Sequence, residues 1–219
     1  MVAEDADISV EEDPNPFVSR GGLKLAQALK DFSVNPAGQT AVDIGASTGG
    51  FTDCLLQNGA KKVFAVDVGY GQLDWKLQSD DRVVMIDRKN ARQLSLDEVG
   101  GEAQDLAVID VAFISLKLIL PAVFKILKPG GQWIALVKPQ FEVGKDEVEN
   151  KGIITDLNKH VKVLLDLQQF IEAAGWCLHN ICRSPIKGQK GNQEYLIQGT
   201  QQNTEDGVNE TLIRQTVGL

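Results

Sequence analysis

Two lysines and two carboxylates stand where the sequence predicts the ends of core elements. They are Lys24, which opens an apolar helical segment, Asp110 and Lys138, which each follow a short apolar strand, and Glu194, which precedes another strand. Ligands of open α/β sheets bind at the carboxyl ends of the strands, so Asp110 and Lys138 are placed to meet a ligand. A lysine after four apolar strand residues is costly to bury unless it is paired, and an amine beside a reacting group can exchange a proton with it. Unrelated surface ion pairs would also explain each residue singly.

A glycine-rich loop follows the first predicted strand, in the string Asp43-Ile44-Gly45-Ala46-Ser47-Thr48-Gly49-Gly50-Phe51. Its glycines let the backbone turn sharply and approach a ligand without a Cβ clash. The spacing G-x-x-x-G-G fits a dinucleotide loop poorly, and no Lys-Ser/Thr pair follows to make a phosphate-binding loop. The alternative is a strand–helix turn that holds no ligand.

Two carboxylates indicate the kind of ligand. Asp43 lies beside the loop, where its charge favours ammonium or sulfonium groups and repels phosphates, and S-adenosylmethionine carries both positive groups. Asp67 ends the second predicted strand, where a carboxylate accepts hydrogen bonds from a ribose diol. The sequence therefore predicts an S-adenosylmethionine site, with Asn90 as a candidate for the adenine. The predicted contacts are Asp43, Gly45, Ala46, Ser47, Thr48, Gly49, Gly50, Phe51, Asp67, Val68, Asn90 and Asp110.

Short strands alternate with helices along the chain and must position these residues. Apolar runs predict strands, and helical periodicity predicts helices between them. The predicted strands are 40–44, 62–66, 82–86, 106–109, 132–137, 176–183 and 194–198, and the predicted helices are 23–32, 49–58, 72–77, 115–127 and 156–174. The alternation predicts an α/β fold with a seven-stranded, mostly parallel sheet, typical of Rossmann-like S-adenosylmethionine-dependent methyltransferases. The loop 184–193 is too short for a crossover helix, so the last two strands should form an antiparallel hairpin. A polar loop is expected over 139–155.

Several uncommon strings occur in the order of a known family. The chain resembles the FtsJ-like ribose 2′-O-methyltransferases, and most closely the TlyA branch, whose members are often called hemolysin A. The strings are FVSRGGLKL, DIGASTGGFTDCLLQNGAKKVFAVDVGYGQLDWKL, IDVAFISL, LKPGG, LVKPQFEVG and GNQEYL, and together they span nearly all of residues 17–199. The resemblance implies methyl transfer to RNA with S-adenosylmethionine as cofactor. It also implies a catalytic Lys-Asp-Lys-Glu tetrad, which falls on Lys24, Asp110, Lys138 and Glu194.

The chemistry that the resemblance implies is an in-line displacement from a sulfonium to a ribose hydroxyl. Alignment of the hydroxyl oxygen, the methyl group and the sulfur should supply much of the catalysis. Lys138 is the residue expected to orient and deprotonate the hydroxyl. Lys24 favours the neutral form of Lys138, whereas Asp110 and Glu194 favour its protonated form, so the sequence leaves the balance open. Lys24 is also a candidate to steady the developing oxyanion or a neighbouring phosphate.

Ribosomal RNA, alone or within a ribosomal subunit, is the substrate that the resemblance implies, with cytidine as the expected nucleoside. Methyltransferases that act on base amino groups usually carry Asn/Asp-Pro-Pro-aromatic after the fourth strand, whereas this chain has Asp110-Val111-Ala112-Phe113. Solvated surface charge explains each basic residue singly, but five are candidates for the RNA path. These are Arg20, Lys30, Arg183, Lys187 and Lys190.

The formal net charge of −8 over 219 residues is concentrated at the two ends. Residues 1–16 contain six carboxylates and no base, residues 200–219 add a net charge of −2, and residues 17–199 are neutral. A neutral body lacks the broad basic footprint of a strong RNA binder. We expect an acidic linker over 1–16, or the remnant of the RNA-binding domain that precedes the methyltransferase in TlyA-like proteins. An FtsJ-like methyltransferase domain over 17–199 and a C-terminal tail over 200–219 follow.

The remaining composition narrows the function class. Three cysteines without a CxxC pair indicate reduced thiols and a cytoplasmic location. Neither His160 nor His179 has a Cys or His at ligand spacing, so no metal site is predicted. No apolar run approaches the ~18 residues of a membrane span, which disfavours a membrane-lysing protein or a membrane partner. An RNA-binding protein with this fold but no activity is disfavoured by the intact tetrad, and a small-molecule methyltransferase by the lack of an obvious inserted lid. The oligomeric state is not predicted.

Overall fold

A seven-stranded sheet runs through the computed structural model, which describes residues 15–148, 152–202 and 207–219. The strands are β1 Thr40–Ile44, β2 Lys62–Val66, β3 Val83–Ile86, β4 Gln104–Ile109, β5 Leu127–Val137, β6 Cys177–Arg183 and β7 Tyr195–Thr200. Their order is β3-β2-β1-β4-β5-β7-β6. The first five are parallel, and β7 is antiparallel to both of its neighbours. The predicted Rossmann-like α/β fold with an antiparallel C-terminal hairpin is confirmed.

Helices connect the strands and cover the sheet. They are α1 Gly21–Asp31, α2 Gly50–Gln57, α3 Trp75–Gln78, α4 Leu120–Ile126, α5 Pro139–Glu142, α6 Leu157–Ala173 and α7 Glu210–Val217. The bounds of α6 follow directly from its sequence. Asp156 accepts a hydrogen bond from the backbone of Asn158 over 2.9 Å, and Gly175 takes a left-handed φ of +79° just past the end.

Apolar layers bury both faces of the sheet, as parallel strands require. One layer includes Leu25 of α1 and Leu55 of α2, and the other includes Leu120 of α4 and Leu164 of α6. Ile213 of α7 is also fully buried in the second layer. The two layers fix the helices against the sheet, so the loops at its carboxyl edge have a rigid base.

Three predicted elements begin at different residues from those expected. The predicted helix over 115–127 starts as a 3₁₀ turn, and α4 begins at Leu120 because Pro121, without an amide hydrogen, suits only a first helical turn. The predicted helix over 72–77 is shorter, because Asp74 caps it and α3 begins at Trp75. β5 begins at Leu127 rather than at 132, because Leu127 pairs with β4.

The loop predicted over 139–155 begins with α5, and residues 210–217 of the expected tail form α7. Residues 1–14, most of the predicted acidic linker, lie outside the described residues. The division into linker, domain and tail therefore stays a prediction.

Candidate active site

The four tetrad residues lie together at the carboxyl edge of the sheet, where they form two ion pairs. Lys24 Nζ donates to Glu194 Oε2 over 2.5 Å, and Lys138 Nζ lies 2.6 Å from Asp110 Oδ1. Asp110 follows β4 and Lys138 follows β5, and these adjacent parallel strands bring the two residues side by side. α1 presents Lys24, and Glu194 immediately precedes β7. Unrelated surface ion pairs therefore do not explain these four residues, because the fold assembles them in one place.

A cavity of about 380 Å³ lies between these ion pairs and the glycine-rich loop. All four tetrad residues line it, together with the basic candidates Arg20 and Lys187. The predicted cofactor loop contributes Gly45, Ala46, Ser47, Thr48, Gly50 and Phe51. The cavity therefore joins the predicted methyl-donor side to the predicted methyl-acceptor side.

The glycines of the loop are required by contacts within the protein. Gly45 and Gly49 have φ values of +83° and +98°, which L residues rarely adopt. A Cβ on Gly45 would lie 2.3 Å from the carbonyl oxygen of Asp110, and one on Gly50 would lie 2.2 Å from Ser19 Oγ. The predicted sharp turn is confirmed, and the glycines also make room for neighbouring chain segments. Their predicted close approach to a ligand stays a prediction.

Asp67, at the end of β2, fixes the outer part of the loop. Its Oδ2 accepts a hydrogen bond from Ser47 N over 2.8 Å, and its Oδ1 accepts one from Gly69 N over 2.7 Å. Each carboxylate oxygen keeps a second lone pair, which a ribose hydroxyl can use. The predicted contact with the cofactor ribose is compatible with this geometry and stays a prediction.

Asp43 lies beneath the loop and is fully buried. Thr52 Oγ1 donates to its Oδ2 over 2.7 Å, whereas its Oδ1 is buried without a hydrogen-bond partner among the described residues. Burial raises the pKa of Asp43 to about 7 against the lowering effect of Thr52, and the nearby charges of Asp110 and Asp67 also raise it. Asp43 does not line the cavity, so its predicted contact with the cationic cofactor stays a prediction.

Two further cofactor candidates lie outside the cavity lining. Val68 is 73% exposed on the loop after β2. Asn90 Oδ1 accepts a hydrogen bond from Arg92 N over 3.1 Å, so this side chain caps a 3₁₀ turn. Asp87, absent from the predicted set, follows β3 and accepts a hydrogen bond from Gly71 N over 2.9 Å. Asp87 thereby holds the loop that presents Val68.

The five basic RNA candidates have different surroundings. Arg20 and Lys187 line the cavity, and Lys30 is exposed in the last turn of α1. Arg183 donates hydrogen bonds to two carbonyl groups at the end of α7, so its guanidinium helps to cap that helix. Lys190 is exposed and has a positive φ of +58°. The geometry therefore favours Arg20 and Lys187 as RNA contacts and gives Arg183 a structural role.

The cavity also contains an aromatic pair that the sequence did not predict. The rings of Phe113 and Phe141 lie 4.9 Å apart, and both residues line the cavity. Phe113 is 85% exposed and has a φ of +63°, a backbone conformation that is costly for a bulky residue. A phenylalanine three residues after the strand-end Asp110 was the available signal.

The loop before β7 presses against the tetrad. A Cβ on Gly188 would lie 2.0 Å from Glu194 Oε1. Ile186, Lys187 and Gly188 all line the cavity. Glycine at 188 therefore allows this loop to approach the buried carboxylate, and the sequence around it gave no indication of that contact.

Comparison with known proteins establishes the family. The model of the FtsJ-like methyltransferase family matches residues 17–201. The chain belongs to this family. The 16S/23S rRNA (cytidine-2′-O)-methyltransferase TlyA of Mycobacterium tuberculosis is similar, with 43% identity over 188 residues, 86% of this chain and 70% of that protein. Hemolysin A of Brachyspira hyodysenteriae is 46% identical over 180 residues, 82% of this chain and 75% of that protein.

Solved structures agree with the assignment to the FtsJ-like methyltransferases. A Streptococcus thermophilus protein that carries the hemolysin name superposes with a TM-score of 0.89 at 45% identity, over 94% of this chain and 75% of that chain. Family membership confirms the predicted methyltransferase and its S-adenosylmethionine cofactor. The roles of individual residues stay predictions.

The described part of this FtsJ-like methyltransferase contains neither a candidate metal cluster nor a helix that could span a membrane. In residues 15–148, 152–202 and 207–219, no three His, Cys, Asp or Glu side chains are grouped so as to hold a metal ion. None of the helices in the same ranges combines the length and the apolar character needed to cross a membrane. Cys54, Cys177 and Cys182 form no disulfide.

Proposed function

We propose that this chain transfers a methyl group from S-adenosylmethionine to the 2′-hydroxyl of a ribose in ribosomal RNA, with cytidine as the target nucleoside. The observation that carries the proposal is the cavity in which the Lys138–Asp110 and Lys24–Glu194 pairs face the glycine-rich loop. The name of the 43% identical mycobacterial relative supports the choice of ribosomal RNA and cytidine. Since ribosomes are the substrate, we place the protein in the cytoplasm.

Lys138 carries the proton chemistry in this proposal. When bound, S-adenosylmethionine supplies an electrophilic methyl group on a sulfonium. A ribose hydroxyl is a weak nucleophile, so its proton must leave during or just after the attack. Lys138 lies at the end of β5, and Asp110 Oδ1, 2.6 Å away, fixes its Nζ. In its neutral form Nζ orients the hydroxyl and accepts its proton, and the proton then passes to solvent.

The second ion pair supports the acceptor oxygen. The side chains of Lys24 and Glu194 are only 11% and 3% exposed. Glu194 holds the Lys24 ammonium in place. A fixed positive charge in a site shielded from water stabilises negative charge that develops on an oxygen. Lys24 therefore steadies the ribose oxygen as it loses its proton.

Phe113 and Phe141 are suited to hold the target base. Enzymes that modify a nucleotide within structured nucleic acid take it out of the base stack and hold it against aromatic side chains. The exposed ring of Phe113 stands at the cavity with Phe141 beside it. Lys138 lines the same cavity, so a base on this pair would bring its ribose into the cavity that contains Lys138.

Methylation of ribosomal RNA tests the proposal directly. We would incubate the protein with methyl-labelled S-adenosylmethionine and ribosomal subunits from cells that lack the enzyme. Because a 2′-O-methyl group blocks alkaline cleavage, the expected label is in one alkali-stable dinucleotide. Label in an alkali-labile mononucleotide would contradict the proposal. So would the absence of label in a protein that still binds the cofactor. Release of dye from liposomes would instead support the hemolysin name of some relatives.

The sheet offers a matched control for the Lys138→Ala variant. Lys128 and Asp105 form another 2.6 Å ion pair on the same two strands, β5 and β4, but at their opposite ends. Lys138→Ala should abolish labelling, and Lys128→Ala should retain it. Equal loss in both variants would show that the effect is structural.

A further inference from the structure

Large apolar side chains with high exposure gather at the carboxyl edge of the sheet. Val68, Tyr70, Trp75 and Phe113 are 73%, 71%, 78% and 85% exposed, and no other large apolar residue in the described part of the chain exceeds 53%. Val68 is a cofactor candidate, and Phe113 lines the cavity. Tyr70 and Trp75 have no role in the site described above.

The loop that carries Tyr70 and leads to Trp75, the first residue of α3, is held in place by hydrogen bonds. Gly71 N donates to Asp87 Oδ2 over 2.9 Å. Asp74 N donates to the carbonyl oxygen of Thr48 over 3.1 Å. Thr48 lines the active-site cavity, so Trp75 lies one residue from a contact with the cavity wall. The backbone that bears the two aromatic side chains is therefore held beside the site.

The chemistry of this patch matches the faces of nucleobases. The Arg88 guanidinium lies over the Tyr70 ring, 4.3 Å from its centroid, and Arg88 N donates to Gly69 O over 2.8 Å. Aromatic rings and guanidinium planes stack on unpaired bases with little sequence preference. Asp74 and Asp87 balance the positive charges of Arg88 and Lys76 in the same region, so the patch has no net positive charge that would favour phosphates.

We infer that Tyr70, Trp75 and Arg88 form a stacking platform for unpaired bases that neighbour the target nucleotide in the same RNA strand. The inference rests on the proposed function and extends it. The cavity takes the target ribose, and the platform fixes the strand next to it. Arg88 covers one face of the Tyr70 ring and so pre-orders it.

Steady-state kinetics separate the platform from the cofactor site. Stacking contributes about 1–3 kcal/mol per base, so Trp75→Ala and Tyr70→Ala should each raise the KM for ribosomal subunits roughly 5- to 150-fold. The kcat at saturating RNA and the Kd for S-adenosylhomocysteine should not change. Leu212→Ala on α7, 38% exposed, is the control. An unchanged KM, or a weakened Kd for S-adenosylhomocysteine, would overturn the inference.

Salt dependence separates stacking from phosphate contact. Removing a phosphate contact lowers the slope of log Kd for RNA against log salt concentration by about 1. Lys187→Ala, at the cavity, should show this lower slope. Trp75→Ala should weaken RNA binding and keep the wild-type slope, and a lower slope in that variant would contradict a stacking role.

Tryptophan fluorescence reports the contact itself. The chain has three tryptophans, and Trp133 and Trp176 are only 0% and 3% exposed. Single-stranded poly(C) should therefore quench the emission of Trp75 alone, and Trp75→Phe should remove the quenching. Quenching that persists in Trp75→Phe, or that is absent in the wild type, would refute the platform.

The proposed function and the platform fail in different ways. If the wild type methylates no ribosomal RNA, the proposed function is wrong. If it methylates ribosomal RNA and Trp75→Ala does so with the wild-type KM, only the platform is wrong.

Discussion

The Lys24–Glu194 pair gives a sharp prediction because its two partners are almost enclosed. The 2.5 Å contact joins side chains that are 11% and 3% exposed. Glu194→Gln keeps the volume of the side chain but leaves the Lys24 ammonium without a counter-charge. Removal of one partner from a buried pair costs about 3–5 kcal/mol in the free energy of unfolding. We expect Glu194→Gln and Lys24→Met each to lower the free energy of unfolding by an amount in this range.

The double variant should recover most of the lost stability. Replacing both members of a buried pair by uncharged groups of similar volume is often nearly neutral. The loss in the free energy of unfolding of Lys24→Met/Glu194→Gln should therefore be smaller than the sum of the two single losses, by a coupling of about 3 kcal/mol. It should nevertheless be inactive, because the charge that steadies the ribose oxygen is gone.

Urea unfolding of the wild type, the two single variants and the double variant measures this coupling. A shifted midpoint reports stability alone when the slope of the unfolding free energy against urea concentration is unchanged. The exposed pair Lys162–Asp166, 3.2 Å apart with side chains 61% and 45% exposed, is the control. Asp166→Asn should change the free energy of unfolding by less than about 0.5 kcal/mol. Additive losses in the double variant, or single variants as stable as Asp166→Asn, would refute the reasoning.

Four further predictions address individual residues. Lys138→Ala should lower kcat about 10²- to 10⁴-fold without changing the Kd for S-adenosylhomocysteine, as measured by calorimetry. Burial raises the pKa of Asp43 to about 7, so stability should fall as pH rises from about 4 to about 7, and Asp43→Asn should flatten this fall in urea titrations. Gly45→Ala should destabilise by at least about 2 kcal/mol, because its Cβ would meet the Asp110 carbonyl; wild-type stability would contradict this. Phe113→Ala should raise the KM for ribosomal RNA without loss of thermal stability, since its side chain is 85% exposed and buries little apolar area.

The sequence predicted the strands and the strand-end residues, because these depend on local residue patterns. Short, mostly apolar runs predicted all seven strands, because strands covered on both faces bury most of their side chains. Asp110 and Lys138 followed from the same reasoning, since a charged residue directly after such a run lies at the edge of the sheet. The chemistry of the tetrad came from the resemblance to the family.

The sequence could not give what depends on distant contacts. Lys24 and Glu194 are 170 residues apart, and nothing local indicates which carboxylate pairs with which lysine. The full burial of Asp43 is set by the packing of several elements, so its raised pKa was not foreseeable. The close approach of Gly188 to Glu194 and the helix cap by Arg183 likewise depend on how loops and helices meet.

The place of β7 in the sheet has a consequence for how the protein is made. β7 lies between β5 and β6, although it is the last of the seven described strands along the chain. During synthesis, domains begin to fold from the amino terminus, and until β7 emerges β5 and β6 expose unpaired strand edges that can aggregate. Glu194 arrives with the same segment, so the nascent chain completes its sheet and its active site in one late step. The ribosome must therefore synthesise the chain beyond Thr200 before the chain could act on ribosomal RNA.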